Sequence, residues 1–268
     1  MIHGVVRFHG SFYLHMLSVI IPTLWRSPYV VDLLTYLEGI DCIDEVILID
    51  NNPASAKDLS QLTKVKVIKN ETNNYVSPSW NQGYIASKNE HICLLNDDII
   101  IPENVFSLVD GFLSPRIGIV GLLSDVYENI LQKTEYMDDV DTIRLTLCTS
   151  RNFGYGCCMF MHRDNYRMIP DQLKIQYGDD FLFYSCDKNC FVLDGFRIVG
   201  KLSGSLYDDR LQLIDREHVS AVCTRDHNFF WEVCAKEILN RNPVDRLDRM
   251  KLDALSRYEQ QSKGNYYF

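Results

Sequence analysis

Three short stretches carry side chains whose types and spacing suit chemistry. In "CLLNDDIIIPENV" (93–105) an apolar run meets Asn96, Asp97 and Asp98 and then turns apolar again. Neighbouring carboxylates beside a buried strand repel each other and resist dehydration, so something must compensate them. A hard divalent cation does so: Mg²⁺ or Mn²⁺ takes carboxylate oxygens and keeps positions open for phosphate. Alternation along an extended strand would send Asn96 and Asp98 to one side and Asp97 to the other, so that one side could hold the cation while the other accepts hydrogen bonds from a sugar hydroxyl. The same acids could instead cap the helix begun by Pro102-Glu103, or close an Asx turn. In "QYGDDFLF" (176–183), Asp179 and Asp180 follow a glycine at a helix start. The helix dipole favours anions there, and so does a general base that must take a proton from an attacking hydroxyl. In "DNNPAS" (50–55), Asp50 ends an apolar run, where α/β nucleotide sites often place a ribose or base partner and where turns also form.

The elements that would position these acids alternate. "MLSVIIPT" (16–23) reads as a buried strand, and "SPYVVDLLTYLEGI" as a helix with Ser27 as cap, Pro28 in its first turn and Gly39 at its end. "EVILID" (45–50), "VKVIK" (65–69) and "HICLL" (91–95) read as further strands, with a short helix at "DLSQL" and a longer one over 79–89. Strand–helix alternation with fully apolar strands implies a parallel sheet covered on both faces, and ligands of such sheets bind beyond the carboxyl ends of the strands. The polar clusters fall at those ends. Farther on, "IGIVGLL" (117–123) reads as a strand, 124–150 as edge strands or a flap, "GYGCCMFMHRDNY" (154–166) as a strand and a helix start, and 177–190 as a helix. "FRIVG" reads as a last strand and 242–259 as a helix.

The chain has 268 residues, 46% of them apolar and 24% charged, with a net charge of −9. That suits a globular protein with a large core. It supplies no basic face for nucleic acid. Nine cysteines, an odd count with no C-x-x-C among them, read as reduced, packed thiols. No apolar run approaches the ~20 residues of a membrane span, and residues 1–15 are too broken for a signal peptide. A soluble, intracellular and cytoplasmic protein is expected. There is no P-loop, no G-x-G-x-x-G after the first strand, no G-x-S-x-G and no H-E-x-x-H. Acid- and amide-rich strand ends without a glycine phosphate cradle point to a metal that neutralises a diphosphate.

Taken in order, the segments "LSVIIPTLWRSPYVVDLLTYL", "EVILIDNNPAS", "NETNNYVSPSWNQGYIASKNEHICLLNDDI", "GYGCCMFMHRDNYRMI" and "YGDDFLFYSCDKNCFVLDGFRI" resemble the GT-A fold of family 2 glycosyltransferases. The resemblance covers roughly 16–205. It implies an α/β fold with a Rossmann-like, mostly parallel central sheet, flanked by helices and followed by C-terminal helices. Residues 1–15 would be an extension, 16–210 the catalytic domain and 211–268 a mainly helical segment packed on it.

The implied activity is inverting transfer of a sugar from a nucleoside-diphosphate donor, UDP-linked by default, to a hydroxyl of a glycan or other acceptor. A homodimer is possible through the C-terminal helices. By the same resemblance Pro22 and Thr23 lie along the base, with Asp50 and Asn81 nearby. Asp97 contacts the donor ribose or sugar, Asp98 ligates Mn²⁺ or Mg²⁺ with Asn96 as a weaker candidate, and Asp180 is the base supported by Asp179.

Two positions depart from the family pattern. Asp179 stands where the family has Glu, and Lys201 stands where many members carry a metal-binding His, which leaves Lys201 to pair with the diphosphate, or His218 or His227 to serve as ligand. Trp80 and Trp231 would pack in the core or stack on sugars. The alternatives are a non-catalytic nucleotide-sugar or glycan-binding module of the same fold and a sugar nucleotidyltransferase.

Overall fold

The computed structural model describes residues 15–122, 143–152, 154–196, 198–200, 213–241 and 245–262. Its centre is an eight-stranded sheet whose strands lie side by side in the order 65–69, 43–50, 17–23, 91–95, 158–162, 117–122, 189–194 and 144–148. Strands β1 (Leu17–Thr23), β2 (Ile43–Asp50), β3 (Val65–Lys69) and β4 (His91–Leu95) are the parallel half. Their register sets Thr23 beside Asp50 and Asp50 beside Lys69, so the polar strand ends share one edge. The other half is mixed. β8 (Cys158–His162) runs antiparallel to β4 and to β6 (Ile117–Leu122), and β9 (Asn189–Asp194) lies parallel to β6 and antiparallel to the edge strand β7 (Arg144–Cys148). A two-residue β5 (Ile99–Ile100) pairs with β10 (Val199–Gly200), which brings the Gly200 backbone opposite Ile99, one residue beyond Asp98.

Side-chain alternation gives the sheet two cores. Val19, Ile21, Val46 and Leu48 face one, with Val30, Leu33, Leu34 and Leu37 of helix α1 (Val30–Glu38) and with α3 (Glu103–Asp110). Ile20, Ile47 and Ile49 face the other, with Trp80 of α2 (Val76–Ala86), Phe183 of α4 (Gly178–Ser185) and the C-terminal helices. Those helices are α5 (Leu213–Phe229), continued through a π-helical turn at Phe230–Cys234 into α6 (Ala235–Leu239), and α7 (Arg246–Ser262). Gly83 lets α2 lie directly on β1, since a β-carbon there would sit 2.2 Å from Ile20 Cγ2. None of the nine cysteines is in a disulfide, and eight of them are buried. Among the described residues no helix is long and apolar enough to cross a membrane.

Several expected elements shift. "DLSQL" holds only a turn at Ser60-Gln61, and α2 starts at Val76 rather than at 79. The helix expected over 177–190 stops at Ser185, where the extended Cys186 gives way to the long strand β9; "FRIVG" keeps only the short β10. The helix expected after β8 is a single 3₁₀ turn, Arg163–Asn165. Most of the 124–150 segment lies outside the described residues, and its described end forms β7.

Candidate active site

Three strand ends converge on a cavity of about 390 Å³. Trp25, Asp50, Lys57, Lys69 and β3's Val65 and Val67 line it. Asp50 is buried and held in place: Oδ1 accepts the Asn52 N–H at 2.9 Å, and Oδ2 accepts the Ser55 hydroxyl. Thr23 accepts the Trp25 N–H at 2.8 Å and donates its own hydroxyl to Asp97 Oδ2 at 2.6 Å. Trp25 has a left-handed backbone, φ 60°, a conformation costly for a bulky residue unless its surroundings fix it. Here the Thr23 side chain is the fixing partner, and Lys57 lies over the indole at 5.9 Å. Pro22 is half-buried in β1, one residue before this turn.

Beyond β4 the chain does not continue extended. Asn96 follows the strand, Asp97 and Asp98 form a turn, and β5 begins at Ile99. The expected alternation of Asn96 and Asp98 against Asp97 therefore does not hold, because alternation needs extended backbone. Both carboxylates are buried. Burial pushes Asp97 up to about 6, against the opposing Thr23 hydrogen bond.

A one-turn 3₁₀ helix at Tyr155–Cys157 joins this acid pair to the second one. On one side Cys157 O accepts the Asn96 N–H at 2.9 Å. On the other, Gly156 lies flush against Asp179: a β-carbon there would come 2.4 Å from Asp179 Oδ2. Asp179 and Asp180 occupy the first turn of α4. Between them and β7 stands Arg151, whose Nε donates to Asp180 Oδ1 at 2.6 Å and whose second nitrogen lies 3.2 Å from Asp179 Oδ2. Asp180 is 2% exposed. Burial raises it to about 6, the Arg151 charge pulls it down, and the Asp179 charge pushes it up again. A hollow of about 180 Å³ opens onto Asp180, lined by Arg151, Tyr184 and Tyr258.

The loop before α4 is clamped from α5. Asp226 is fully buried, and its Oδ2 accepts the N–H groups of Lys174, Ile175 and Gln176 at 3.0, 2.6 and 2.9 Å. Tyr177 takes a left-handed conformation, φ 64°, with its hydroxyl 2.7 Å from His227 Nδ1 and its ring stacked on Phe230.

Other expected site residues lie elsewhere or serve the fold. The Asn81 amide is a buried staple: it donates to Ile169 O at 2.8 Å and accepts from Ile169 N–H and the Tyr166 hydroxyl. The neighbouring Asn51 bridges Ser79, Asn70 and Asn74 at this edge. His218 lies 2.7 Å from the Tyr75 hydroxyl and His227 is engaged with Tyr177. Trp80 and Trp231 are both buried in the second core. Lys201 lies outside the described residues.

Among the described residues no three His, Cys, Asp or Glu side chains form a metal cage. The donor set near Asp98 still fits a hard cation of the kind bound through one or two carboxylates and completed by substrate phosphates. Arg151, Trp25 and Tyr258 were absent from the sequence-based site. Arg151 and Tyr258 belong to no motif, and only the position of Trp25, two residues past the first strand, signalled anything.

The glycosyl transferase family 2 model matches residues 18–169, more than half of the chain. Curated protein sequences give no match. Among solved structures, the mannosyltransferase PcManGT from Pyrobaculum calidifontis, crystallised with GDP-Man and Mn²⁺, superposes with a TM-score of 0.50 at 14% identity, over 95% of this chain and 77% of that one. S. aureus TarS 1–349 in complex with UDP gives 0.47 at 14% identity, over 94% and 93%. GalNAc-T7 with UDP, GalNAc and Mn²⁺ gives 0.46 at 14% identity, over 86% of this chain and 58% of that one. With a mixed sheet of this topology and a family match that spans its parallel half and β8, the chain belongs to glycosyl transferase family 2 and is a glycosyltransferase of the GT-A fold.

Proposed function

We propose that the protein is an inverting glycosyltransferase that moves a sugar from a nucleoside-diphosphate sugar, UDP-linked, to a hydroxyl of a carbohydrate or glycoconjugate acceptor. The observation that carries the reading is the buried Asp180 at the first turn of α4, braced by Arg151 and opening onto a hollow. A carboxyl held at about 6 is ionised at neutral pH yet basic enough to take a proton in a transition state.

The catalytic unit is read as residues 16–210, with 1–15 as an extension and 211–268 as a helical segment packed on it. The donor lies along the carboxyl edge of β1, β2 and β4. Its base occupies the cavity beside Pro22, Thr23, Trp25 and Asp50, where the indole offers a stacking face and Asp50 an acceptor. Asp97, oriented by Thr23, faces the ribose or the transferred sugar. Asp98, with Asn96 beside it, would hold Mn²⁺ or Mg²⁺, which when bound would supply charge neutralisation for a departing diphosphate, and Lys201 is placed in sequence to assist it.

At the acceptor side, Asp180 accepts the proton of the attacking hydroxyl. The oxygen forms its bond to the anomeric carbon from the face opposite the diphosphate, whose bond breaks in the same displacement, so the configuration inverts. Arg151 fixes the Asp180 carboxylate through Nε, and Asp179 holds Arg151 from the other side.

The test is release of free nucleoside diphosphate from a panel of UDP-, GDP- and dTDP-sugars with Mn²⁺, with the anomeric configuration of the product read by proton NMR. Turnover of one donor with inversion is expected. Retention, or no turnover of any donor together with unchanged nucleotide binding in Asp98→Ala, overturns the reading.

A further inference from the structure

Helix α7 runs antiparallel to α4. Lys251, fully buried, sends its ammonium into the end of α4, donating to Cys186 O at 2.9 Å, Lys188 O at 2.8 Å and Cys190 Sγ at 3.2 Å. A cation at a helix C-terminus meets the negative end of the macrodipole, so this contact fixes the register of the two helices. Seven residues on, about 10 Å along a helix at ~1.5 Å per residue, Tyr258 reaches the other end of α4 and lines the Asp180 hollow with Tyr184. Trp231 backs the Tyr258 ring at 5.6 Å. The hollow thus has a carboxylate and a guanidinium at one end and phenol rings along its wall. At about 180 Å³ it is smaller than the ~300–1,000 Å³ of pockets for drug-sized ligands, which suits a single ring. Its lining holds one carboxylate and one guanidinium, and that guanidinium is already paired with both Asp180 and Asp179, so the lining offers no unpaired cation to a phosphate or a sugar acid.

We propose that Tyr258 is a specificity-determining residue supplied by the C-terminal helix: the acceptor is an uncharged pyranoside, whose ring packs on the Tyr258 and Tyr184 wall while its reacting hydroxyl meets Asp180. The inference rests on the reading of the Asp180 hollow as the acceptor side. Packing the sugar's C–H face on a phenol ring removes apolar surface from water, and about 1.4 kcal/mol of that burial is tenfold in affinity.

The experiment reads binding, independently of turnover. Saturation-transfer NMR is run on the full chain with UDP and Mn²⁺, using methyl glucoside, methyl galactoside, methyl mannoside and methyl N-acetylglucosaminide as probes against glycerol and glycerol 3-phosphate. At least one methyl pyranoside is expected to receive saturation on its ring C–H protons and neither glycerol compound to do so. Tyr258→Phe keeps the signal, and Tyr258→Leu, which keeps bulk without a π face, weakens binding about tenfold. Where Tyr258→Leu does not fold, judged by its melting curve, Tyr258→Met, which also has no π face, carries the same expectation.

Saturation of glycerol 3-phosphate above the pyranosides, no pyranoside signal at all, or equal affinity in Tyr258→Leu overturns the inference. Pyranoside binding that depends on Tyr258 in a protein that turns over no nucleotide sugar would sink the catalytic reading and leave the subsite standing.

Discussion

Asp180 carries the proposed base chemistry, and its neighbours fix what it can do. Asp180→Asn keeps the shape and removes the base, so kcat is expected to fall by about 10²–10⁴-fold with donor KM little changed, as steady-state kinetics with a nucleotide sugar would report. The pH dependence follows from the raised carboxyl. Only the ionised form accepts a proton, so activity should fall as pH drops through about 6. The groups facing Asp180 set that limb: Arg151 lowers it, while burial and Asp179 raise it. Arg151→Met removes the lowering charge, so the limb should move to higher pH and activity at neutral pH should drop; Arg151→Lys, which keeps the charge and loses the paired geometry, should move it less. A limb that stays put in Arg151→Met would show that the guanidinium does not act on Asp180. The carboxylates were legible in the sequence because acids at strand ends and helix starts stand out from apolar surroundings. Arg151 was not, since its role exists only once β7 and α4 are side by side.

At the scale of elements, the site depends on close approaches. Gly156 permits the 3₁₀ turn to lie against Asp179, and Gly156→Ala would drive a β-carbon into that carboxylate. We expect a loss of turnover larger than the loss of stability, seen by comparing kcat with the melting temperature. Gly83→Ala tests packing alone: a contact of 2.2 Å with Ile20 should cost about 1–3 kcal/mol by overpacking, read by urea unfolding, without a matching change in the pH profile. The parallel half was readable from periodicity, since buried β-branched runs separated by an amphipathic helix leave few alternatives. The mixed half was readable only in part: the strands at β6 and β8 and an edge strand at β7 were expected, but they pair out of sequence order, β9 was hidden behind a helix that stops at Ser185, and a turn at Asp97-Asp98 stands where an extended segment was one expectation. Asn81 shows the same limit: its side chain is fixed by Ile169 and Tyr166, 88 and 85 residues away in sequence.

For the whole molecule, the account is a division of labour between the two halves of one sheet. The parallel strand ends gather Thr23, Asp50, Asp97 and Asp98, the mixed half brings Arg151 and Asp180, and the 3₁₀ turn at Tyr155–Cys157 joins them. The C-terminal helices hold the second group in place through Asp226 and Lys251. The most direct test is calorimetric titration of UDP with and without Mn²⁺ into the wild type, Asp98→Asn and Asp180→Asn. The account predicts that Asp98→Asn loses the Mn²⁺-dependent part of UDP binding, whereas Asp180→Asn binds UDP as the wild type does and transfers no sugar. Mn²⁺-dependent UDP binding that survives in Asp98→Asn, or transfer that survives in Asp180→Asn, would contradict it.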